Sequence, residues 1–118
     1  MAKELKAVVE LKNGLEYQNI KNDLLNQLRT NRTKGKYYTD LVSDYMSLWV
    51  TKNLLIKDIE SRGVSIAWNN GGGQKGRKKN DSVSELTKVN AQMTKLLNEL
   101  GLKPTDSSNG DDEDDDEL

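Results

Sequence analysis

The chain lacks cysteine and histidine altogether, and its 118 residues include one proline and no phenylalanine. Without cysteine there is no disulfide framework, no thiolate nucleophile and no zinc site built on cysteines. Without histidine, the usual general base near neutral pH and the commonest metal ligand are both missing. These absences argue against an enzyme and against a metal centre, and nothing in the sequence calls for a cofactor.

Long apolar runs are missing too. Only 34% of the residues are hydrophobic, and no run approaches the roughly 20 apolar residues that span a bilayer. The first residues, Met1 to Lys12, lack the apolar core of a signal peptide. We therefore expect a cytosolic chain without membrane contact. A domain of this length buries a small core by itself, so self-association is also expected.

Charge is segregated along the chain, although the formal net charge is only −1. Residues 111–117 are all acidic, and Asp106 adds one more carboxylate. Residues 1–105 then hold 11 acidic side chains against all 18 lysines and arginines, a balance of +7. The sequence therefore predicts a basic folded body followed by an acidic tail.

The spacing of apolar residues predicts a mainly α-helical chain. A three- and four-residue spacing begins at Leu15 and predicts a helix to about Thr30, and a wider stripe predicts a longer helix from Thr39 to Arg62. Gly63 stands just past that helix, where glycine commonly ends one. The alternating stretch VSIAW then predicts a short strand, with QKGRKK returning beside it as a small ribbon.

The last helix has the clearest terminal signals. Ser82 and Glu85 form the S-x-x-E pattern of a capping box at its start. Gly101 and Pro104 mark its end, and Leu102 is placed to fold back on its last turns.

An apolar seam about two heptads long runs along this last helix and calls for a partner helix. Two interpretations stay open, because the seam can pack on the long helix of the same chain or join neighbouring subunits, and both can hold at once. The candidate oligomer contacts on the two helices are Leu86, Val89, Met93, Leu96, Leu100, Tyr45 and Trp49.

From these patterns we expect a helical hairpin or small bundle with a short β-ribbon or glycine-rich loop. The chain divides into a weakly ordered N-terminal arm at residues 1–14, a helical domain at 15–103 and a disordered acidic tail at 104–118. The helical domain would carry both nucleic-acid binding and oligomerisation.

The stretch NNGGGQKGRKKND, residues 69–81, places three glycines before four cations. Gly71 and Gly76 have the spacing of a phosphate-binding P-loop, but Arg77 replaces its lysine and Lys78 replaces the hydroxyl that holds magnesium. The cations can instead meet successive phosphates of a nucleic acid, whereas the simpler alternative is a solvated loop. The candidate DNA contacts here and in a second basic turn are Lys75, Arg77, Lys78, Lys79, Arg29, Arg32, Lys34 and Lys36.

The acidic tail has three interpretations. It can aid solubility, compete with nucleic acid for the basic loop, or dock on a basic partner protein. The candidate docking residues are Asp111, Asp112, Glu113, Asp114, Asp115 and Asp116.

Three segments of the chain carry a resemblance to a known family. YTDLVSDY opens the long helix, SRGVSIAWNNGGGQKGRKKNDS follows it, and the last helix ends in ELGLKP. In this order and spacing the chain resembles the P27-like family of phage terminase small subunits, over about residues 15–106. The family often has Asn-Pro where this chain has Asn80 and Asp81, so the local turn there differs.

The resemblance implies a DNA-packaging role without catalysis. Terminase small subunits assemble into rings, recognise the viral genome at its packaging site and present it to the large subunit, which carries the ATPase and nuclease. For this chain the resemblance implies a ring of roughly eight to ten copies. It also implies double-stranded viral DNA and the large terminase subunit as partners, with the acidic tail near that subunit. The site of action would be the cytoplasm of the bacterial host, not the mature virion.

Two other classes of protein stay open. A dimeric DNA-binding regulator would place one helix in the major groove. An oligomeric assembly module would contact protein only and would not bind DNA.

Overall fold

The computed structural model describes residues 2–104. The predicted acidic tail therefore lies outside the described residues, apart from its first position. Within this range the chain forms four helices and one two-stranded ribbon, in the order α1 Ala2–Asn13, α2 Leu15–Thr30, α3 Tyr37–Arg62, β1 Ser65–Asn69, β2 Lys75–Lys79 and α4 Asp81–Leu100. The predicted mainly helical chain with a short ribbon is confirmed, whereas its division at residues 14 and 103 stays a prediction.

The long helix α3 determines the layout of the molecule. It begins at Tyr37, slightly before the predicted start, and ends where predicted, at Arg62. Gly63 follows with a φ of 86°, and its N–H donates to the Ile59 carbonyl at 2.7 Å. The 26 residues of α3 make it about 39 Å long at 1.5 Å per residue.

Both α2 and α4 pack along α3. The short turn after α2 makes a helical hairpin with α3, in which the rings of Tyr17 and Trp49 meet edge to face with centroids 5.7 Å apart. The ribbon after α3 returns the chain so that α4 runs antiparallel beside it. The side chains of Val8 and Leu11 on α1 pack against the edge of this core.

The core lies where α2, α3 and α4 meet. The buried apolar side chains among the described residues are Leu24, Leu28, Val42, Met46, Trp49, Val50, Val89, Met93 and Leu102. Fully burying one such side chain contributes about 1.5–3 kcal/mol, so this small group and the half-buried residues around it hold the helices together.

The predicted end of the last helix is confirmed. Gly101 adopts the left-handed conformation, with φ 72° and ψ 25°. Its N–H donates to the Asn98 carbonyl at 3.0 Å, and the Leu102 N–H donates to the Leu97 carbonyl at 2.9 Å. This pair of bonds is the Schellman arrangement, and it turns the Leu102 side chain into the core.

The predicted capping box at the start of the last helix is wrong. The N-cap is Asn80, whose side-chain oxygen accepts from the Ser82 N–H at 2.9 Å. The Ser82 hydroxyl instead donates to Asp58 on α3 at 2.7 Å. Ser82 therefore lies inside the helix, and its side chain joins α4 to α3.

Candidate nucleic-acid interface

Asn80 anchors the ribbon to the helices. It is completely buried, and its side-chain nitrogen donates to Asp58 Oδ2 at 3.1 Å and to the Gly63 carbonyl at 2.9 Å. Its side-chain oxygen also accepts from Arg62 at 3.2 Å. The Asn80 backbone N–H donates to the Val64 carbonyl at 2.8 Å. Because a buried amide needs partners for its polar atoms, these bonds fix the base of the ribbon.

Asp58 is the charged centre of this cluster. Arg62 donates to both of its carboxylate oxygens, at 2.7 and 2.8 Å, and the Ser82 hydroxyl adds a further bond. These bonds, with that of Arg62 as the largest cause, hold the pKa of Asp58 well below its usual range. The same contact raises the pKa of Arg62. The forked geometry favours two parallel bonds between a guanidinium and a carboxylate.

Three of the four predicted ribbon cations share one face. In the antiparallel register Lys75 lies opposite Asn69, and Arg77 lies opposite Ala67. Alternate residues of a strand point to the same side, so Lys75, Arg77 and Lys79 form a row spaced about 6.8 Å apart. Lys78 points to the other face. All four side chains are exposed.

The Arg77 side chain of this row is hydrogen-bonded to the neighbouring strand of the ribbon. Its guanidinium donates to the Ser65 carbonyl at 2.8 Å and to the Ser65 hydroxyl at 3.0 and 3.2 Å. These partners are neutral, so the positive charge stays available to an anion. The bonds hold the side chain along the ribbon and reduce the entropy lost on binding.

The loop between the two strands has a defined turn. The Asn69 and Asn70 side-chain oxygens accept from the N–H groups of Gly71 and Gly72 at 2.8 and 3.0 Å. Asn70 also bonds to Gln74 through both backbone and side chain. Gly71 and Gly73 have φ values of 85° and 81°. These two glycines are therefore required by the turn itself, since other residues rarely adopt positive φ.

The second predicted cluster lies far from the ribbon. Arg29 is in the last turn of α2, where it donates to Asn26 at 2.7 Å, and Arg32 has a positive φ of 61°. With Lys34 and Lys36 they form the α2–α3 turn, and all four side chains are exposed. This turn adjoins the start of α3 and the ribbon adjoins its end, so about 39 Å of helix separates them. The structure does not bring the two clusters together.

The candidate oligomer contacts fall into two groups. Trp49, Val89 and Met93 are buried within the chain, and Tyr45 and Leu100 pack against the same core. These five residues fit the interpretation in which the seam packs on α3 of its own chain.

The remaining two seam residues are less enclosed. Leu86 and Leu96 are half-buried and lie outside the core cluster. A contact between their side chains and a second copy stays a prediction.

The acidic residues Asp111–Asp116 lie outside the described residues. The position of Pro104, the first residue of the tail, is described. Together with Lys103, it lines a surface groove that also includes Asn26 and Asn31. The acidic tail therefore starts beside the α2–α3 turn, at the opposite end of α4 from the ribbon.

Sequence reasoning missed two residues that shape the ribbon and its base. Asn80 gave no signal beyond its place before a helix, because its partner Asp58 lies 22 positions away. Trp68 could have been found as an aromatic residue at an alternating position in a strand next to cations. In the structure it is 38% exposed and lies over Gly76.

Most of the chain matches the model of a known protein family. The family model described as phage terminase, small subunit, matches residues 22–117. The chain belongs to the phage terminase small subunit family. No curated protein and no solved structure matches it. The match begins within α2 and takes in α3, the ribbon and α4, while the narrower P27-like assignment stays a prediction.

Membership of the terminase small subunit family gives the chain a general role in phage genome packaging, within a family that is generally non-catalytic. In residues 2–104, no helix has both the length and the apolar content needed to cross a membrane. The same residues contain no group of three or more acidic side chains placed to hold a metal ion.

Proposed function

We propose that this terminase subunit binds double-stranded viral DNA through its ribbon and presents it to the large terminase subunit. The proposal rests on one observation: Lys75, Arg77 and Lys79 form an exposed row on one face of the ribbon. The ribbon projects from the helices on a base fixed by Asn80.

A two-stranded ribbon suits this task without a recognition helix. The major groove admits such a ribbon as readily as it admits a helix. Each cation that meets a phosphate releases condensed counterions, which supplies sequence-independent affinity. Three contacts from one ribbon face give modest binding per subunit, so the proposal requires several copies on one DNA.

We propose a ring of roughly eight to ten copies as the source of that multiplicity. Support comes from apolar side chains that one subunit leaves uncovered, since Leu5, Val9 and Leu15 are 66%, 48% and 80% exposed. Repetition around a ring raises the effective concentration of each ribbon near the DNA. Native mass spectrometry should therefore give a closed assembly of this size, and a strict monomer would contradict the ring.

We assign separate roles to the basic α2–α3 turn and to the acidic residues near the end of the chain. The α2–α3 turn would make a second DNA contact, about 39 Å from the ribbon along α3. The acidic residues 111–116 would dock on the large subunit. Both events belong in the cytoplasm of the bacterial host, before the mature virion forms.

A charge-removal experiment tests the ribbon assignment. The triple variant Lys75→Gln, Arg77→Gln, Lys79→Gln should weaken binding to a labelled DNA duplex by at least about tenfold. The matched control, Lys57→Gln, Lys88→Gln, Lys95→Gln, removes the same charge from exposed positions of α3 and α4. The control should lose less than about threefold by fluorescence anisotropy, because these lysines would lose no phosphate contact. Equal losses would mean that net charge alone, not the ribbon, governs binding.

A further inference from the structure

The two tryptophans of the chain lie in opposite environments. Trp49 is 7% exposed inside the helical core, whereas Trp68 is 38% exposed on the ribbon. Exposing part of an indole gives up apolar burial, since an aromatic side chain of this kind can bury 150–250 Å². The exposed part of the Trp68 indole is available to a ligand.

The indole of Trp68 packs over Gly76, and we call this contact position the seat of the indole. Trp68 and Gly76 are direct partners in the ribbon register. A Cβ placed on Gly76 would lie 3.2 Å from Trp68 Nε1 and 3.5–3.6 Å from the two adjoining ring carbons. One side of the indole thus lies against bare backbone.

One cation shares the face of the ribbon on which the indole lies. In the antiparallel register Trp68, Gly76 and Lys78 lie on one face, whereas Lys75 and Arg77 lie on the other. The Lys78 side chain is exposed. An aromatic ring beside a cation combines a surface for base stacking with a group that holds an adjoining phosphate.

We propose that Trp68 stacks on an unpaired base of the DNA while Lys78, on the same face of the ribbon, binds a phosphate next to that base. This inference rests on the proposed function and deepens it. A base inside an intact duplex has both ring faces covered by its neighbours, so an exposed indole on a ribbon can stack only where a base is unpaired. The preferred ligand is therefore DNA with a single-stranded end or an opened step.

Two other roles for the indole fit the surroundings less well. An anchoring role is not needed, because the Asn80 cluster already fixes the ribbon at its other end. A protein-binding role would set Lys78 beside the centre of an apolar contact, where charged residues are depleted.

Binding measurements on two DNAs test the inference. One is a blunt duplex, and the other is the same duplex with a short single-stranded overhang. Trp68→Ala should weaken binding to the overhang DNA by about 5- to 150-fold and leave blunt-duplex binding within about twofold. Trp68→Phe should retain most of the preference, since phenylalanine also stacks. Circular dichroism of the variants should match that of the unsubstituted protein.

Intrinsic fluorescence supplies a direct readout of stacking. Overhang DNA should quench the tryptophan emission of the unsubstituted protein, and Trp68→Phe should remove that quenching because the buried Trp49 is then the only tryptophan. A variant Gly76→Val, which crowds the seat of the indole, should reduce both the quenching and the overhang preference.

The outcomes separate this inference from the function on which it rests. If both DNAs bind and Trp68→Ala weakens them equally or not at all, the stacking role is wrong and the ribbon assignment stands. If Trp68→Ala disrupts assembly while overhang binding persists, the indole covers protein and the inference is wrong. If the unsubstituted protein binds neither DNA, the proposed function fails and this inference fails with it.

Discussion

Asp58 and Asn80 lie 22 positions apart in the sequence and are joined by a 3.1 Å hydrogen bond from the Asn80 side-chain nitrogen to the Asp58 carboxylate. The bond connects the end of α3 to the N-cap of α4. The ribbon leaves and rejoins the helices between these two residues. Its direction relative to the helices therefore depends on this pair.

We expect Asn80→Ala to destabilise the chain and misplace the ribbon. The substitution leaves buried partners of the Asn80 amide unsatisfied, which costs about 1–3 kcal/mol in the free energy of unfolding. The midpoint of thermal unfolding should fall by about 10 °C. Asn90→Ala, at an exposed position of α4, is the matched control and should change stability by less than about 0.5 kcal/mol. Equal effects of the two substitutions would contradict the anchoring role.

Acid should weaken the same cluster. The folded state lowers the pKa of Asp58, mainly through its hydrogen bonds from Arg62. Its contribution to stability is therefore complete above the unfolded pKa of about 3.9 and is lost as the pH falls below that value. Thermal unfolding followed from pH 7 to pH 2 should show a constant gap between the unsubstituted chain and Asp58→Asn above about pH 5. The gap should narrow as the pH falls below about 3.9, and a gap that keeps its full size at pH 2 would contradict the assignment.

The glycines at the tip of the ribbon should differ in their tolerance of alanine. Gly73→Ala forces a side chain onto a φ of 81°, which costs about 1–2 kcal/mol. Gly72→Ala is the matched control, since Gly72 has no positive φ and its Cβ would meet only the Asn70 side chain at 3.6 Å. Hydrogen exchange of the β2 amides should quicken about 5- to 30-fold in Gly73→Ala alone. Similar exchange in the two variants would mean that the turn is not held as described.

Local patterns predicted α2, α3 and α4 because each signal lies within a few residues. The spacing of Leu24 and Leu28 marks the buried side of α2, and Val42 and Trp49 do the same for α3. Gly101 followed by Leu102 predicted the end of α4, because the bonds of that motif stay within its last turns. The ribbon was predictable for a similar reason, since alternation and glycines adjoin in sequence.

The parts that could not be predicted depend on distant contacts. The local sequence predicts a capping role for Ser82 because its partner Asp58 is 24 positions away, and nothing nearby indicates that bond. The seat of Trp68 on Gly76 follows from the strand register, which the sequence leaves open. The two basic clusters lie at opposite ends of α3, and their separation emerges only from the path of the chain.

The salt dependence of DNA binding tests the central claim most directly. Each ribbon face that engages DNA should contribute about −2.7 to the slope of log affinity against log salt, at about −0.9 for each of three phosphates. Replacing Lys75, Arg77 and Lys79 with glutamine should make the slope shallower by at least that amount, whereas the control at Lys57, Lys88 and Lys95 should keep the original slope. An unchanged slope in the ribbon variant, or no binding to duplex DNA at low salt, would contradict the account.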